Sequence, residues 1–206
     1  FAKYPGLLRL QWEVLKPNAL TQDFFDKTEV IRRQAMASVR EHFTVADYRA
    51  VLRMQGFSDD ALKEIKATLD FFLYGDPFLL LMASCLQSAL AGRPLRGKPW
   101  AHLLPHYTHP TRTFRVPLVE MEAAPPNIQS VYRDIQKVSD LPFVPSDYRA
   151  LGRWPHFLEP AWEDWKKKIP TAAYRSELRR LNELAVALAE DLPFSVLLNT
   201  RVLRES

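Results

Sequence analysis

The chain has 206 residues, and 47% of them are hydrophobic, which is enough for one substantial core or for two small halves that share one. Its 28 Lys and Arg residues stand against 24 Asp and Glu residues, so the formal net charge of +4 is small. No glycine-rich phosphate loop or nucleic-acid-binding motif accompanies this charge, and the longest basic run, residues 166–168, is typical of a solvated helix face. We therefore expect no nucleic-acid partner.

Cysteine content and hydropathy indicate the compartment. The single cysteine, Cys85, excludes an intrachain disulfide and fits a reducing, cytoplasmic environment. It lies in the apolar run 78–86, where we expect a buried and unreactive thiol. That run falls well short of the roughly 20 apolar residues of a membrane span, so we expect no transmembrane helix. No signal peptide is visible, and because the sequence begins at Phe1 rather than Met, we expect the native N-terminus to lie upstream.

Helical periodicity dominates the first half of the chain. Residues 28–43 place their apolar side chains on one helical face. A second helix is predicted to begin after Ser58, whose hydroxyl suits the N-cap position. The triplet Gly75-Asp76-Pro77 is predicted to end that helix and to begin another over residues 77–90, with Pro77 in the first turn.

The second half of the chain is also predicted to be helical. Three further helices are predicted, over residues 127–139, 146–153 and 174–189. β-Branched alternation is almost absent from the sequence. The only plausible extended piece is 113–120, and Pro117 argues against a central strand there.

Two halves of the sequence resemble each other. Residues 93–117, rich in Pro, Gly and His and without periodicity, separate them as a linker. We predict an all-α fold of two pseudo-symmetric helical repeats, 1–92 and 118–206, packed as an intrachain pseudo-dimer. The first repeat lacks its N-terminal part. The second is shorter near 189–192, either by deletion or because residues are absent from this sequence. The aligned positions include Pro5 with Pro155, Trp12 with Trp162, Thr21 with Thr171, and Pro77 with Pro193.

Two acidic positions are candidates for chemistry. Ser146-Asp147 follows Pro145 and is explained structurally by Ser146 as a helix N-cap and Asp147 as a favourable first-turn charge. The functional alternative is Asp147 as a carboxylate base that activates water. Asp76 has a similar pair of explanations: an N-capping residue between two helices, or a second polar group facing the same cavity.

Other side chains were tested as pocket or metal residues. Trp12 and Leu15 lie three residues apart on one helical face, where they belong to the core or form the wall of an apolar ligand pocket. His102, His106 and His109 have helical spacing, but intervening prolines break the helix that would align them. We therefore predict neither a metal site nor a cofactor.

The sequence resembles the DehI-type (group I) 2-haloacid dehalogenases. The resemblance rests on residues 131–135, on residues 141–162, which include Pro145-Ser146-Asp147-Tyr148, and on residues 69–81, which include Tyr74-Gly75-Asp76-Pro77. It extends to Ala91-Gly92 and covers most of the chain. The segment around Asp147 is fairly specific to the wider family and less specific to dehalogenation.

This resemblance implies an all-α fold and hydrolysis without a cofactor. Asp147 would activate water, which displaces halide at C2 with inversion to give a 2-hydroxy acid. Trp12, Leu15, Ser146 and Tyr74 would line the substrate pocket, with Leu15 where the family has Phe. Asp76 would position the water or share a proton with Asp147, although it stands where the family has Asn.

Asp76 leaves the activity open at the sequence level. An Asn can donate a hydrogen bond to water or to a carboxylate, whereas an ionised Asp cannot. Two close carboxylates would also repel an anionic substrate. The leading prediction is a haloacid dehalogenase-like hydrolase acting on a small halogenated carboxylic acid, with a homodimer as one oligomeric state. The alternatives are an inactive family member that serves as a subunit of a larger assembly, and a binding protein for an apolar carboxylic acid.

Overall fold

The computed structural model describes residues 5–93, 95–98 and 115–197, and most of these residues are helical. An isolated antiparallel bridge between Leu95 and Val196 is the only β-type pairing within those ranges, so the all-α prediction is confirmed. A short 3₁₀ turn occupies Met121–Ala123. The helices are α1 (Pro5–Ala19), α2 (Gln22–His42), α3 (Tyr48–Met54), α4 (Asp59–Leu90), α5 (Pro126–Ser139), α6 (Ser146–Leu151), α7 (Pro155–Lys168) and α8 (Ala172–Glu190).

Hydroxyl caps set three of the helix starts. Ser58 Oγ accepts from Ala61 N at 3.2 Å ahead of α4, as the sequence predicts. Thr21 caps α2, because its Oγ1 accepts from Phe24 N at 3.1 Å and donates to Asn18 O at 2.7 Å. Thr171 repeats both bonds at the start of α8, accepting from Tyr174 N at 3.2 Å and donating to Lys168 O at 2.6 Å. The aligned threonines therefore have the same local geometry.

The predicted break at Gly75-Asp76-Pro77 is wrong, because α4 runs through it without interruption. Pro77 lacks an N–H, and its ring crowds the carbonyl four residues back, a combination that costs roughly 3 kcal/mol in a helix interior. Packing on both sides offsets that cost: Ile65 lies in one hydrophobic cluster before the proline, and Leu81 and Cys85 lie in another after it. Asp76 is therefore an exposed residue inside a helix rather than an N-cap.

The chain divides into two compact units, each built from non-contiguous segments. Unit 1 comprises Phe1–Met36, Gly75–Arg112 and Arg179–Ser206, and unit 2 comprises Ala37–Tyr74 and Thr113–Leu178. The core of unit 1 includes fully buried Leu15, Phe24, Ile31, Leu81 and Cys85. Cys85 is buried as expected, and burial raises the pKa of its thiol to about 12.

Unit 2 contains the larger hydrophobic cluster. Helix α7 packs against α3, α5 and α6. Its buried face supplies Phe157, Leu158, Ala161 and Trp162. The repeat and linker boundaries drawn from sequence similarity stay predictions, since the compact units follow contacts instead.

Part of the predicted linker belongs to the structure of unit 1. Leu95 is buried and bonded to Val196, whose N lies 2.9 Å from Leu95 O. Lys98 N donates to Pro193 O at 2.6 Å. The described residues after Pro193 are non-helical, whereas those after Pro77 lie within α4. The two segments that the sequence alignment equates therefore differ in conformation, because one pairs with the linker and the other continues a helix.

Helix α4 is long and apolar enough to cross a membrane by length and composition, with a mean hydropathy of 1.5 over 18 residues. The core helix of a water-soluble protein passes the same test. In unit 1 this helix contributes Leu81, Cys85 and Ala89 to the core.

Candidate active site

Asp147 lies half-buried in the first turn of α6. Pro145 occupies the N-cap position and has no side chain that can bond to the turn, and Ser146 is the first helical residue. The expectation that Ser146 caps the helix is therefore wrong: the fixed extended backbone of Pro145 places the boundary one residue earlier. Ser146 Oγ instead lies 3.3 Å from Arg149 Nη2, which donates to it.

The environment of Asp147 makes it a stronger base than an ordinary aspartate. Burial raises the pKa of its carboxyl above the usual 3.8, and the backbone N–H groups of Tyr148 and Asp147 oppose this shift. A raised pKa increases the affinity of the carboxylate for a proton. That combination suits a carboxylate that removes a proton from water.

Two tyrosines share the electrostatic environment of Asp147. Burial and then the charge of Asp147 raise the pKa of Tyr174, and the pKa of Tyr148 rises for the same reasons. Both phenols therefore stay protonated and able to donate. Among the described residues, neither phenol oxygen has a hydrogen-bond partner, and neither is completely buried.

An aromatic cavity of about 280 Å³ lies beside these tyrosines within unit 2. Tyr148 packs edge-on against Trp162 at 5.6 Å and tilted against Trp165 at 6.3 Å. Tyr174 packs edge-on against Phe43 at 6.3 Å. The lining residues are Val39, Phe43, Thr44, Val45, Tyr148, Asp164, Trp165, Lys168, Ile169 and Tyr174.

Helix α6 is held in place from outside the site. Arg149 Nη1 lies 2.7 Å from both carboxylate oxygens of Glu120. Arg149 O accepts from Val119 N at 3.0 Å and lies 3.3 Å from the buried hydroxyl of Tyr132. Burial raises the pKa of Tyr132 to about 12, so its phenol remains a donor. These contacts fix the turn that carries Asp147.

The remaining predicted site residues are divided between the two units. Trp12 is 39% exposed, whereas Leu15 is completely buried in the core of unit 1. Asp76 is an exposed residue of unit 1, and Tyr74, in unit 2, is 56% exposed. The pairing of Asp76 with Asp147 and the pocket role of Trp12, Leu15, Ser146 and Tyr74 stay predictions.

No group of three or more His, Cys, Asp or Glu side chains that could hold a metal ion occurs among the described residues. His102, His106 and His109 lie outside them. The expected absence of a metal site and of a cofactor therefore stays a prediction.

Tyr148 and Tyr174 were missed as site residues from the sequence. Tyr174 aligns with Phe24 in the repeat, and Phe24 is completely buried whereas Tyr174 is half-buried. The available signal in the sequence is that Tyr174 carries a hydroxyl where its aligned residue, Phe24, has none. Its closeness to Asp147 depends on tertiary packing and had no counterpart in the spacing of residues.

Comparison with known proteins gives consistent matches. The family model described as "Halocarboxylic acid dehydrogenase DehI" matches residues 1–148. The (R)-2-haloacid dehalogenase of Pseudomonas putida is 31% identical over 93% of this chain, and the alignment spans 65% of that protein, less than two thirds of its length. The (R)-2-haloacid dehalogenase of Rhizobium sp. (strain NHG3) is 28% identical over 93% of this chain and 74% of that protein.

Solved structures match the fold. A D-2-haloacid dehalogenase mutant has a TM-score of 0.92 at 29% identity, covering 99% of this chain and 71% of that one. The complex of a D-2-haloacid dehalogenase with L-LA has a TM-score of 0.88 at 30% identity, covering 96% and 69%. The family match over most of the chain agrees with the motif around Asp147, and this chain belongs to the DehI family.

Proposed function

We propose that the protein is a hydrolase that removes halide from a 2-haloacid, with Asp147 as the base. The observation that carries this proposal is the half-buried carboxylate of Asp147 with its raised pKa, at the position that the family motif assigns to the base. The curated relatives are named as 2-haloacid dehalogenases, which supports the same reaction.

The reaction follows from the chemistry of a carboxylate and water. The Asp147 carboxylate takes a proton from a water molecule while the water oxygen bonds to C2 of the substrate. The carbon–halogen bond breaks on the opposite side, halide leaves with the electron pair, and the product is a 2-hydroxy acid of inverted configuration. The proton then passes from Asp147 to solvent. Relatives from Pseudomonas sp. (strain 113) and Alcaligenes xylosoxydans xylosoxydans are named as configuration-inverting, in agreement with this scheme.

The substrate pocket of this proposal includes Trp12, Leu15, Ser146 and Tyr74, with Asp76 positioning the water or sharing a proton with Asp147. Its ligand is a small halogenated carboxylic acid. Support for an underlying pseudo-symmetric repeat comes from Thr21 and Thr171, which cap α2 and α8 with the same pair of hydrogen bonds.

The test measures halide release from each enantiomer of 2-chloropropionate. We expect release by the parent and a fall of at least about 100-fold in Asp147→Ala, the scale of a lost general base. Asp140→Asn is the control, because Asp140 is an exposed acidic residue of unit 2 that does not line the aromatic cavity. Release that survives Asp147→Ala would exclude Asp147 as the base.

The second candidate is a family member without catalytic activity. Asp76 favours it, because it stands where the family resemblance expects Asn and lies exposed in α4. No release by the parent together with release by Asp76→Asn would identify Asp76 as the disabling residue. Stable co-purification with a larger assembly would support the subunit role, and a free homodimer that turns over substrate would count against it.

A further inference from the structure

The aromatic cavity of unit 2 has the size and lining of a ligand site. Its volume of about 280 Å³ is close to the lower end of small-molecule sites, roughly 300–1,000 Å³. Apolar and aromatic side chains form most of its wall, and the charged pair Asp164–Lys168 lies on one side with 2.5 Å between Oδ1 and Nζ. Such a lining favours an uncharged hydrocarbon group.

The cavity wall includes the residue that follows the candidate base in the sequence. Tyr148, which follows Asp147 directly in α6, forms one part of the wall, and Tyr174 forms another. After burial, the charge of Asp147 contributes to the raised pKa of both phenols. Two residues of the cavity wall therefore lie in the electrostatic neighbourhood of Asp147, which makes the cavity a candidate site for a substituent of a substrate whose C2 lies there.

The cavity is larger than a methyl group requires. At about 30 Å³ for a water-sized group, it has room for several non-hydrogen atoms. A methyl substituent would leave most of the aromatic wall without contacts, which forfeits dispersion and burial energy. A substituent of four carbons would make these contacts with the aromatic wall.

We propose that this cavity binds the alkyl substituent at C2 and makes the protein selective for 2-haloacids with longer side chains, of the 2-bromohexanoate type. This inference rests on the proposed function for the identity of the substrate. The residues that set the selectivity are the aromatic pair Tyr148 and Tyr174 and the aliphatic side chains of Val39 and Ile169.

The test measures binding rather than turnover, so that it does not depend on catalysis. The probes are 2-hydroxyhexanoate and lactate, which have the same headgroup and differ by three methylenes. Each buried methylene contributes about fourfold in affinity, equivalent to about 0.8 kcal/mol, so full burial of three gives up to about 60-fold. Calorimetry gives the two Kd values, and quenching of Trp165 fluorescence, which reports from the cavity wall, provides a second reading.

Two valine substitutions on α2 distinguish an effect of filling the cavity from an effect of enlarging a side chain on the helix surface. Val39 lines the cavity and is 43% exposed, whereas Val30 is 45% exposed and does not line it. Val39→Phe fills part of the cavity, and we expect the affinity ratio between the two acids to fall to within about fivefold. Val30→Phe should retain the ratio of the parent. Thr44→Phe, at an exposed lining residue, replaces Val39→Phe if circular dichroism shows that the latter does not fold.

The outcomes distinguish this inference from the proposed function. A ratio below about two in the parent, including no binding of 2-hydroxyhexanoate, overturns the inference. So does an unchanged ratio in a folded cavity-filling variant. A preference for 2-hydroxyhexanoate without halide release from either 2-bromohexanoate or 2-bromopropionate supports the cavity assignment and refutes catalysis.

Discussion

Gly152, at the end of α6, lies against a buried side chain. A Cβ at this position would lie 2.0 Å from the hydroxyl oxygen of Tyr132. That hydroxyl is within hydrogen-bonding distance of the backbone carbonyls of Val119 and Arg149. Tyr132 is completely buried. We expect Gly152→Ala to lower the free energy of unfolding by about 2–3 kcal/mol, as overpacking of a core does. Urea denaturation measures the loss.

Gly75 provides the control for that prediction. It lies inside α4, and an added Cβ would meet nothing within 4 Å. Because alanine is the better helix former, Gly75→Ala should raise the free energy of unfolding by about 0.5–1 kcal/mol. Equal effects at the two glycines would show that the contact with Tyr132 does not limit position 152.

The raised pKa of Asp147 links its chemistry to stability. Because burial raises the pKa of the folded carboxyl above the unfolded value near 3.8, the folded state binds the proton more tightly. Its stabilising contribution is complete below the unfolded pKa and is lost as pH rises through the folded pKa. We expect Asp147→Asn to be more stable than the parent at pH 7 and to lose that advantage near pH 3.

Unfolding curves of Asp147→Asn and the parent at the two pH values measure this difference. Asp140→Asn is the control, because Asp140 is an exposed residue on the loop before α6. A less stable Asp147→Asn at neutral pH would mean that the ionised carboxylate makes favourable contacts and that burial is not the dominant influence.

Individual site residues are predictable from the sequence when the signal lies in neighbouring residues, and not when it depends on folding. The family motif singles out Asp147, which lies in the first turn of α6. The preference for a hydroxyl at an N-cap singles out Ser58, which caps α4. Ser146 was assigned to the wrong cap position because Pro145 fixes the boundary through its backbone. Tyr174 was missed because only folding brings it to the electrostatic neighbourhood of Asp147.

At the scale of helices, Glu177 joins α8 to the end of α2 within unit 2. Its side chain is 12% exposed, accepts from Ser38 Oγ at 2.7 Å and lies 3.4 Å from His42 Nε2. Glu177→Ala removes the acceptor that Ser38 Oγ and His42 Nε2 share. We expect a loss of about 1–3 kcal/mol in the free energy of unfolding, measured by urea denaturation.

Glu183 is the matched control on the same helix, because it is exposed and takes part in no ion pair with the described residues. Glu183→Ala should stay within about 0.5 kcal/mol of the parent. If the two variants lost equal stability, the effect would belong to helix propensity and not to the contact between α2 and α8.

Helix positions were predictable where the periodicity was uninterrupted. The prediction over residues 127–139 matches α5 (Pro126–Ser139) within one residue. The prediction failed at Pro77, where Gly, Asp and Pro together read as a boundary. The local preference for a helix break at Pro77 is outweighed by the burial of apolar side chains before and after it in α4. That burial depends on tertiary packing, which local sequence preferences do not show.

For the whole molecule, the sequence predicts the fold class but not the grouping of helices. Apolar periodicity and the lack of alternation indicated an all-α protein. Sequence similarity divided the chain into consecutive halves, whereas the compact units take segments from both. The lengths of chain between those segments carry no information about which helices pack together, because that choice depends on the matching of their apolar faces.

The division into units leads to a prediction about cooperativity. Helices α2, α4 and α8 each contribute residues to both units. Local melting of one unit would therefore expose backbone carbonyl and N–H groups in the middle of three helices, which costs free energy. We expect a single unfolding transition with coincident fluorescence and circular dichroism curves.

Core substitutions in each unit test this cooperativity. Leu81 in unit 1 and Ile128 in unit 2 are both completely buried, so replacing either with Ala should cost about 2–5 kcal/mol. Three of the five tryptophans, Trp154, Trp162 and Trp165, belong to unit 2, so the fluorescence signal is weighted toward that unit. If the units unfold together, Leu81→Ala shifts the fluorescence and circular dichroism midpoints equally, as Ile128→Ala does. A circular dichroism transition that precedes the fluorescence change in Leu81→Ala alone would show that unit 1 unfolds independently.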